Sequence, residues 1–382
     1  MKKLKVMTIL GTRPEIIRLS SVMALLEKHV DHQIVHTGQN YDYELNEIFF
    51  NELSVRKPDY FLGVDHSSLG SVLGNILISI EGILKEERPD AVLILGDTNS
   101  SIAGIMAKRM KIPIYHMEAG NRCFDLNVPE EINRKIIDHI SDFNLVYTEH
   151  ARRHLLSEGL PHRRIYLSGS PMKEVLYKHL EKIKSSKVLT ECGVEKGKFF
   201  VVSTHREENV DNFQNLKILL QTIERIRQEF DLPVIVSTHP RTRKRLESLP
   251  AGLSIDGIHF LKPFGFFDYN HLQMNALCVI SDSGTISEES AILSFPAITV
   301  RNAIERPEAL DTGNIVMTGL DTDTIIQAIY LVTKEFDAIK DNPIPTEYEI
   351  ENVSQRVVRL ILGTAKLSHI WDGIKLNDTT LA

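Results

Sequence analysis

Three acidic side chains stand where a predicted strand ends or a predicted helix begins. Asp97 follows the apolar strand Val92–Leu95, and Glu118 follows the next predicted strand along the chain. Glu131 stands in the first turn of a predicted helix. Carboxylates at such positions can remove and return protons in general acid–base catalysis. Structural alternatives remain open, because Asp97 can cap a helix and Glu131 can pair with Arg134 three residues later.

Basic side chains are predicted at other strand ends. Arg13 lies in the turn Gly11–Glu15, between the first strand and a helix. An anion such as a phosphate would meet the guanidinium and the free backbone amides there. A structural turn with a solvated arginine is the alternative. In the second half, His205 and His239 each follow a strand, and two histidines in equivalent places are harder to assign to structure alone.

The clearest local motif is the turn from residue 281 to 289, where a buried strand ends in small residues that start a helix. The amides and hydroxyls of Ser283, Gly284 and Thr285 suit a diphosphate at the positive end of that helix. Glu289 lies about one turn further, where its carboxylate can accept from both hydroxyls of a ribose. The alternative is an ordinary capped helix, because Ser-x-x-Glu patterns are common at helix starts.

The hydrophobic pattern indicates the elements that position these residues. Short apolar runs alternate with helical patterns, which is typical of parallel sheets covered by helices on both faces. The predicted strands are Leu4–Leu10, Gln33–Thr37, Ala91–Leu95, Ile112–Met117, Asn144–Tyr147 and Ile165–Leu167, and then Phe199–Ser203, Val234–Ser237, Ile258–Leu261, Leu277–Ser281, Ala297–Val300 and Ile315–Met317. The fold class is therefore α/β, with two Rossmann-like domains facing a cleft. Ligands are expected at the carboxyl ends of the strands.

The domain boundary is predicted where the strand pattern pauses. We assign residues 1–171 to an N-terminal Rossmann-like domain and residues 172–364 to a C-terminal one, with a polar helix after the junction. The last helix can pack on either domain, and we expect the stretch of about 365–382 to pack back on the first.

Composition excludes several classes of protein. The chain has 382 residues, of which 42% are hydrophobic, and this suits two globular cores. Its net charge of −7 disfavours nucleic acid or an anionic membrane as a general partner. No apolar run approaches a membrane span, and the first residues do not form a convincing signal peptide. The sparse cysteines, Cys123, Cys192 and Cys278, indicate a reduced, cytoplasmic protein in which they are structural.

Two nucleotide-binding motifs are absent from the sequence. It contains no G-x-G-x-x-G after a strand and no G-x-x-x-x-G-K-[ST], so tight dinucleotide binding and P-loop hydrolysis are unsupported. A zinc site on His116 and Glu118 lacks the further ligand spacing that would complete it. We therefore predict no metal, and an enzyme that binds a phosphorylated ligand.

The assembled motifs resemble the non-hydrolysing UDP-N-acetylglucosamine 2-epimerases, nearly from end to end. The markers are Gly11–Glu15, Gly96–Thr98, Glu118–Gly120, Pro129–Arg134, Asp282–Gly284 with Glu288 and Glu289, and Glu305–Glu308. The resemblance implies a glycosyltransferase-B-like fold, a homodimer, a UDP-sugar substrate and no added cofactor. It implies elimination of UDP to a 2-acetamidoglycal, followed by re-addition of UDP with a proton on the other face of C2.

Residue roles follow from the same resemblance. It implies that Asp97, Glu118 and Glu131 are the acid and base groups, and that His205 is catalytic and, with Arg13, neutralises the diphosphate. Further contacts to the substrate or its UDP are implied for Arg13, Arg18, Arg134, His239, Tyr269, Ser283, Gly284, Glu289 and Arg306. Which carboxylate deprotonates and which reprotonates is left open.

Departures from the family pattern indicate one branch of it. Arg18 stands where the family usually has lysine, and Thr285 and Ser287 alter the usual Gly-Gly-Ile-Gln-Glu-Glu. The segment Thr37–Asp42 does not support the allosteric substrate site of some bacterial members. Segments 11–20, 118–125 and 262–270 are similar to capsule and O-antigen enzymes that convert UDP-2-acetamido-2,6-dideoxy-L-talose to UDP-N-acetyl-L-fucosamine.

Alternative functions remain at this point. The favoured substrate is the 6-deoxy-L-talose sugar, and UDP-N-acetylglucosamine is the alternative. The segment Phe264–Phe267 can supply an apolar wall for a 6-deoxy sugar or belong to the core. A UDP-sugar-dependent glycosyltransferase of the same fold would need an acceptor, and a nucleotide-sugar sensor would bind without turnover.

Overall fold

The computed structural model describes residues 3–38, 43–247, 256–338 and 344–374. The chain divides into two compact units. The first unit comprises Met1–Lys178 with Glu349–Ala382, and the second unit comprises His179–Tyr348. Each unit is an α/β structure built on a parallel sheet.

The division of the chain differs from the predicted boundary in two ways. The second unit begins at His179 rather than at residue 172, and the last helix belongs whole to the first unit, although its first part was assigned to the second domain. Contacts at both ends of that helix explain its place. Ser354 donates to the Glu174 carboxylate, and the Tyr115 hydroxyl lies 2.6 Å from that of Thr364. Residues 375–382 of the predicted C-terminal stretch lie outside the described residues.

The sheet of the first unit contains seven strands among the described residues, in the order β3-β2-β1-β4-β5-β6-β7. They are β1 (Lys5–Leu10), β2 (Asp31–His36), β3 (Tyr60–Phe61), β4 (Ala91–Leu95), β5 (Ile114–Ala119), β6 (Phe143–Val146) and β7 (Ile165–Leu167). The helices are α1 (Arg13–His29), α2 (Tyr43–Glu52), α3 (Leu69–Glu87), α4 (Ala103–Arg109), α5 (Glu130–Ile140), α6 (Glu149–Ser157) and α7 (Met172–Lys178), together with the C-terminal helix Val353–Trp371.

The second unit contains six described strands in the order β10-β9-β8-β11-β12-β13. They are β8 (Phe200–Ser203), β9 (Val234–Ser237), β10 (Ile258–Leu261), β11 (Cys278–Ser281), β12 (Ala297–Thr299) and β13 (Val316–Met317). The helices are α8 (Leu180–Lys184), α9 (Val188–Cys192), α10 (Glu207–Val210), α11 (Phe213–Phe230), α12 (Pro240–Glu247), α13 (Phe266–Asn275), α14 (Ile286–Leu293), α15 (Pro307–Asp311) and α16 (Thr322–Ala338). The C-terminal helix Val353–Trp371, which belongs to the first unit, is α17.

Hydrophobic burial explains these sheets. All five residues of β4 are buried, as expected for a central parallel strand covered on both faces. Ile76 and Ile80 of α3 pack on that sheet, and Leu219 and Ile223 of α11 pack on the other. All twelve predicted strands are confirmed within two residues at each end, whereas the two-residue strand β3 was missed because it is too short to show a period.

The strand orders place a switch point in each sheet. In both units the order reverses beside the first strand, between β1 and β4 and between β8 and β11. Loops leaving neighbouring strands there run to opposite faces and open a crevice at the carboxyl edge. Arg13 and Asp97 follow the first pair of strands, and His205 and Ser283 follow the second pair.

Candidate active site

Glu15 joins two strand ends of the first unit. Helix α1 begins just after β1, with Thr12 as its N-cap and Pro14 in its first turn. Glu15 Oε2 accepts from the amides of Gly11 at 2.7 Å and Thr12 at 2.6 Å, and Oε1 accepts from the hydroxyl of Thr98 at 2.8 Å. Burial raises the pKa of Glu15 to about 7. The turn after β1 is therefore fastened to the turn after β4.

Arg134 bridges two of the predicted catalytic carboxylates. Its Nε and Nη2 lie 2.9 and 2.8 Å from Asp97 Oδ2, and its Nη1 donates to Glu131 Oε2 at 3.0 Å. The intrahelical pair considered for Glu131 is thus present, and it is shared with Asp97. Asp97 does not cap the next helical turn, because Thr98 is the N-cap there.

Glu131 is fully buried, unlike the other two carboxylates. Its Oε2 also accepts from the Cys123 amide at 3.1 Å and lies 3.2 Å from Cys123 Sγ. The side chains of Asp97 and Glu118 are 24% and 16% exposed. Asp97 and Glu118 are therefore partly accessible, whereas Glu131 is not. Cys123, which we expected to be structural, contacts Glu131 directly.

Glu118 has an unusual backbone conformation at the end of β5. Its φ is 64°, a left-handed value that a non-glycine residue rarely adopts, and the register between β5 and β6 shifts at this point. Its carboxylate pairs with Arg18 and accepts from the Asn121 amide at 3.3 Å. Arg18, expected to contact the substrate, is 3% exposed and lies over the Tyr147 ring.

Together these groups form a carboxylate cluster, which we define as Asp97, Glu118 and Glu131 with their partners Arg18 and Arg134. Arg18 pairs with Glu118 at the end of β5, and Arg134 pairs with Asp97 after β4 and with Glu131 in α5. Carboxylates held this way are fixed in direction, so they suit proton removal and return on a bound ligand. Nearby, Arg13 packs over the Phe49 ring at 5.8 Å and is partly exposed at the start of α1.

Asp282 organises the corresponding corner of the second unit. It is fully buried and accepts from the amides of His205 and Arg206 at 3.0 Å each and from the Asn209 side chain at 3.0 Å. His205 Nδ1 lies 3.3 Å from Asp282 Oδ1. The carboxylate thereby holds the loop after β8 against the end of β11 and directs the His205 ring.

The structure brings the two predicted histidines together. The ring centroids of His205 and His239 are 5.8 Å apart, and the His205 side chain is 42% exposed. They follow the neighbouring strands β8 and β9, which explains their proximity. Two imidazoles side by side can bind an anion when they are protonated.

The turn before α14 is only partly arranged as predicted. The Ser283 amide donates to Ser281 Oγ at 3.0 Å and the Thr285 amide to Ser283 Oγ at 3.3 Å, so these two amides serve the turn itself. The capped-helix alternative is wrong in its expected form, because the N-cap Thr285 makes no side-chain capping bond. Arg306 Nε donates to the Gly284 carbonyl at 2.8 Å.

Other predicted ligand contacts lie against this turn. Arg306 is 3% exposed and lies 3.2 Å from Glu288, so its observed contacts are within the protein. Glu289 is 7% exposed and accepts from the Gln273 amide at 2.9 Å. Burial raises the pKa of the half-buried Tyr269, and the negative charge of Glu289 adds to this shift. Tyr269 and Glu289 are therefore neighbours in the second unit.

The apolar segment near Tyr269 lies partly in the core. Phe266 is 3% exposed, and Phe267 packs on His179 at 5.4 Å and under Lys182 at 5.5 Å. Phe264 is half-buried. The core interpretation is therefore confirmed for Phe266, whereas Phe267 is half-buried.

Sequence reasoning did not assign roles to Glu15, Asp138 and Asp282. Glu15 and Asp282 stand inside the quoted motifs, and their apolar surroundings were the available signal. Asp138 lies within α5 and resembles an ordinary polar helix residue, so no local signal marked it.

Within the described ranges, no three His, Cys, Asp or Glu side chains group in a way that could hold a metal. No helix in the described part of the chain is long and apolar enough to cross a membrane.

Comparison with known proteins identifies the family. The family model described as UDP-N-acetylglucosamine 2-epimerase matches residues 24–362. This chain belongs to the UDP-N-acetylglucosamine 2-epimerase family. It is an isomerase, and the predicted enzyme class, a 2-epimerase of UDP-N-acetylhexosamines, is confirmed at the level of the family.

Individual relatives of this epimerase agree over nearly their whole lengths. It is 46% identical to a solved UDP-N-acetylglucosamine 2-epimerase from Rickettsia bellii, with a TM-score of 0.90 over 97% of this chain and 100% of the other. The UDP-N-acetylglucosamine 2-epimerase of Methanocaldococcus jannaschii is 38% identical over 86% of this chain and 92% of its own. Its structure in complex with UDP-GlcNAc and UDP gives a TM-score of 0.87 over 94% of this chain and 99% of that one.

A relative named for a different substrate also matches this epimerase. The UDP-2,3-diacetamido-2,3-dideoxy-D-glucuronate 2-epimerase of Pseudomonas aeruginosa is 33% identical over 85% of this chain and 91% of its own. The predicted architecture, two parallel-sheet Rossmann-like domains of glycosyltransferase-B type, is confirmed.

Proposed function

We propose that this protein is a non-hydrolysing epimerase that inverts C2 of a UDP-N-acetylhexosamine. The observation that carries the proposal is the carboxylate cluster, in which Arg134 joins Asp97 to Glu131 and Arg18 pairs with Glu118 at the end of the neighbouring strand β5. The names of the relatives support the UDP-sugar substrate, and one relative is solved with UDP-GlcNAc and UDP. The roles of individual residues below are part of the proposal.

The proposed chemistry explains the need for several carboxylates. The C2 proton of an N-acetylhexosamine adjoins no carbonyl, so it is removed as UDP departs rather than through an enolate. The C2–H bond breaks, its electron pair forms the C1–C2 double bond, and the C1–O bond breaks with its electron pair leaving on UDP. Re-addition reverses these steps with the proton delivered to the other face of C2. One carboxylate acts as base and another as acid.

We assign proton transfer to Asp97, Glu118 and Glu131. Asp97 and Glu118 are partly accessible, and their charges are held by Arg134 and Arg18. Glu131 is buried and shares Arg134 with Asp97, so a proton gained at one carboxylate changes the hydrogen bonding of the other. Arg13, at the N-terminus of α1, is proposed to bind a phosphate oxygen.

UDP binding is assigned to the second unit. The departing diphosphate needs positive charge, which His205 and His239 provide when protonated. Gly284 is proposed to allow the diphosphate to approach the backbone, because the space beside it is open: a Cβ there would lie an ordinary 3.9 Å from Arg206 Nη2. Glu289 is proposed to accept from the ribose hydroxyls, with Tyr269 beside the nucleoside. Arg306 supports the Gly284 carbonyl from behind.

The first test is a time course with one UDP-sugar and no acceptor. We expect NMR to show UDP-N-acetylglucosamine converting to its 2-epimer until both are present at equilibrium. A glycosyltransferase would leave the UDP-sugar unchanged, and a hydrolysing enzyme would release UDP and free sugar irreversibly. Either of those results, for every UDP-N-acetylhexosamine tried, contradicts the proposal.

The finer proposal concerns the substrate. The segments 11–20, 118–125 and 262–270 favour UDP-2-acetamido-2,6-dideoxy-L-talose, with UDP-N-acetyl-L-fucosamine as product and a role in capsule or O-antigen synthesis. The names of the Methanocaldococcus jannaschii and Rickettsia bellii relatives favour UDP-N-acetylglucosamine. The same time course run on both substrates decides between them, because the preferred substrate has the larger kcat/KM. We also propose a homodimer, which light scattering of the eluting protein tests.

A further inference from the structure

Glu118 is held in a conformation that its own chemistry disfavours. Its φ of 64° lies in the left-handed region, where the side chain of a non-glycine residue crowds the backbone. Such a residue persists only where its surroundings determine its conformation, and this happens most often at functional sites. The groups that fix the backbone on both sides of Glu118 therefore control where its carboxylate points.

Asp138 contacts the chain on both sides of Glu118. It lies in α5 and is fully buried. Its two carboxylate oxygens each accept from the Gly120 amide at 3.2 Å, and Oδ2 accepts from Arg122 Nη1 at 2.7 Å. On the other side, Oδ1 lies 2.9 Å from His116 Nδ1. One carboxylate thus ties down residues 116, 120 and 122.

His116 extends this link to the strand end that carries Asp97. Its ring is fully buried, and Nε2 lies 2.8 Å from the Gly96 carbonyl oxygen. The Gly96 amide in turn donates to the Met117 carbonyl at 3.0 Å. The backbones that carry Asp97 and Glu118 are therefore joined through one imidazole and one buried carboxylate.

Arg122 and the chain around Gly120 complete the support. Arg122 binds Glu158 of the segment after α6 through two contacts of 2.8 and 2.6 Å, so Asp138 is not a lone buried charge. His154 of α6 lies 2.9 Å from the Gly120 carbonyl. A Cβ on Gly120 would lie 2.4 Å from the Ala151 carbonyl oxygen, so only glycine fits this close approach. Helices α5 and α6 thus hold the segment after Glu118 in place.

We propose that Asp138 and His116 are positioning residues for the acid–base step, which set the direction of the Glu118 carboxylate and its separation from Asp97. The inference rests on the proposed function. Neither residue touches the substrate in this account. A displacement of about 1 Å in a catalytic group can cost on the order of 10²-fold in rate, so loosening this support should lower kcat more than it alters substrate binding.

The test compares Asp138→Asn with a matched control, Asp142→Asn. Asp142 is also a buried carboxylate of the first unit; it accepts from the Ile114 amide at 2.9 Å and from Lys108 Nζ at 2.7 Å, and both of these partners lie outside residues 116–122. Both variants lose a buried charge-assisted bond and should lose stability. Asp138→Asn should lower kcat by about 10- to 100-fold with KM and UDP affinity within about twofold, whereas Asp142→Asn should leave kcat within about twofold.

Three outcomes bear on the inference separately from the proposed function. A kcat within threefold of wild type for folded Asp138→Asn overturns it, and so does an equal loss of kcat in Asp142→Asn, which would indicate general destabilisation. If Asp138→Asn does not fold, His116→Gln decides alone, with the same expected fall in kcat at unchanged KM. A wild-type protein that epimerises no UDP-N-acetylhexosamine contradicts the proposed function instead, and the inference falls with it.

Discussion

Replacing Arg134 by methionine should destabilise the first unit strongly. The guanidinium lies 3.0 Å from the carboxylate of Glu131, and these side chains are 4% and 0% exposed. Removing one partner of such a pair leaves a buried carboxylate with the Cys123 donors and the more distant Lys135 ammonium, 3.8 Å from Oε1. Breaking a buried ion pair in this way costs about 3–5 kcal/mol. Asp97 adds little to the cost, because its partly exposed side chain can be hydrated.

The single tryptophan of the chain provides the assay. Trp371 packs on Phe143, with ring centroids 6.1 Å apart, and under Arg164 at 5.4 Å, so its fluorescence reports unfolding of the unit that contains Arg134. With a urea m-value of about 2 kcal/mol/M, the midpoint of Arg134→Met should fall by roughly 1.5–2.5 M.

A double variant separates the buried charge from lost packing. Glu131→Gln combined with Arg134→Met leaves a neutral amide where the single variant leaves a charge. The double variant should therefore be more stable than Arg134→Met by at least about 1 kcal/mol. A loss below about 1 kcal/mol in Arg134→Met, the value of an exposed pair, would refute this reasoning. Equal stability of the single and double variants would refute it as well.

The remaining predictions concern turnover, ligand affinity and pH. Asp97→Asn, Glu118→Gln and Glu131→Gln should each lower steady-state kcat at least ~10²-fold with folding intact, and near-normal turnover would remove that residue from the proposed set. Glu289→Ala should weaken UDP binding at least ~10-fold by calorimetry, since a charge-assisted bond is worth about 1.5–3 kcal/mol; unchanged affinity contradicts the ribose contact. Burial raises the pKa of Glu15 from 4.5 to about 7, so its contribution to stability is fully present below about pH 4.5 and is lost as the pH rises through 7. Relative to Glu15→Gln, the wild type should lose about 3 kcal/mol in unfolding free energy between those pH values. If the stabilities of the two proteins instead changed in parallel with pH, the pKa of Glu15 would be the same in the folded and unfolded states, which contradicts the prediction.

The architecture was predictable because parallel strands buried on both faces leave a strong pattern. The run Ala91–Leu95 is apolar throughout, and the structure has that strand with the predicted bounds. A parallel sheet then places the residues after its strands at one edge. This reasoning grouped His205 with His239, whose rings lie 5.8 Å apart, and Asp97 with Glu118, which stand at the ends of the neighbouring strands β4 and β5.

The support around those residues was not predictable, because it depends on tertiary contacts. Arg134 reaches Asp97 across 37 positions of sequence, and nothing local distinguishes Asp138 from a solvated helix residue. The left-handed backbone of Glu118 contradicts its intrinsic preference and exists only through its neighbours. The packing of α17 on the first unit likewise follows from contacts such as Ser354 with Glu174, rather than from its own amphipathic pattern.

The central claim is that the enzyme breaks and re-forms the C2–H bond of a UDP-N-acetylhexosamine, and incubation in deuterated water tests it most directly. The account predicts that NMR and mass spectrometry show one deuterium at C2 of the epimerised product, for UDP-N-acetylglucosamine or its 6-deoxy-L-talose counterpart, without any acceptor. It also predicts that Glu118→Gln incorporates deuterium at least ~10²-fold more slowly. Epimerisation without deuterium at C2, or no incorporation for either sugar, would contradict the account.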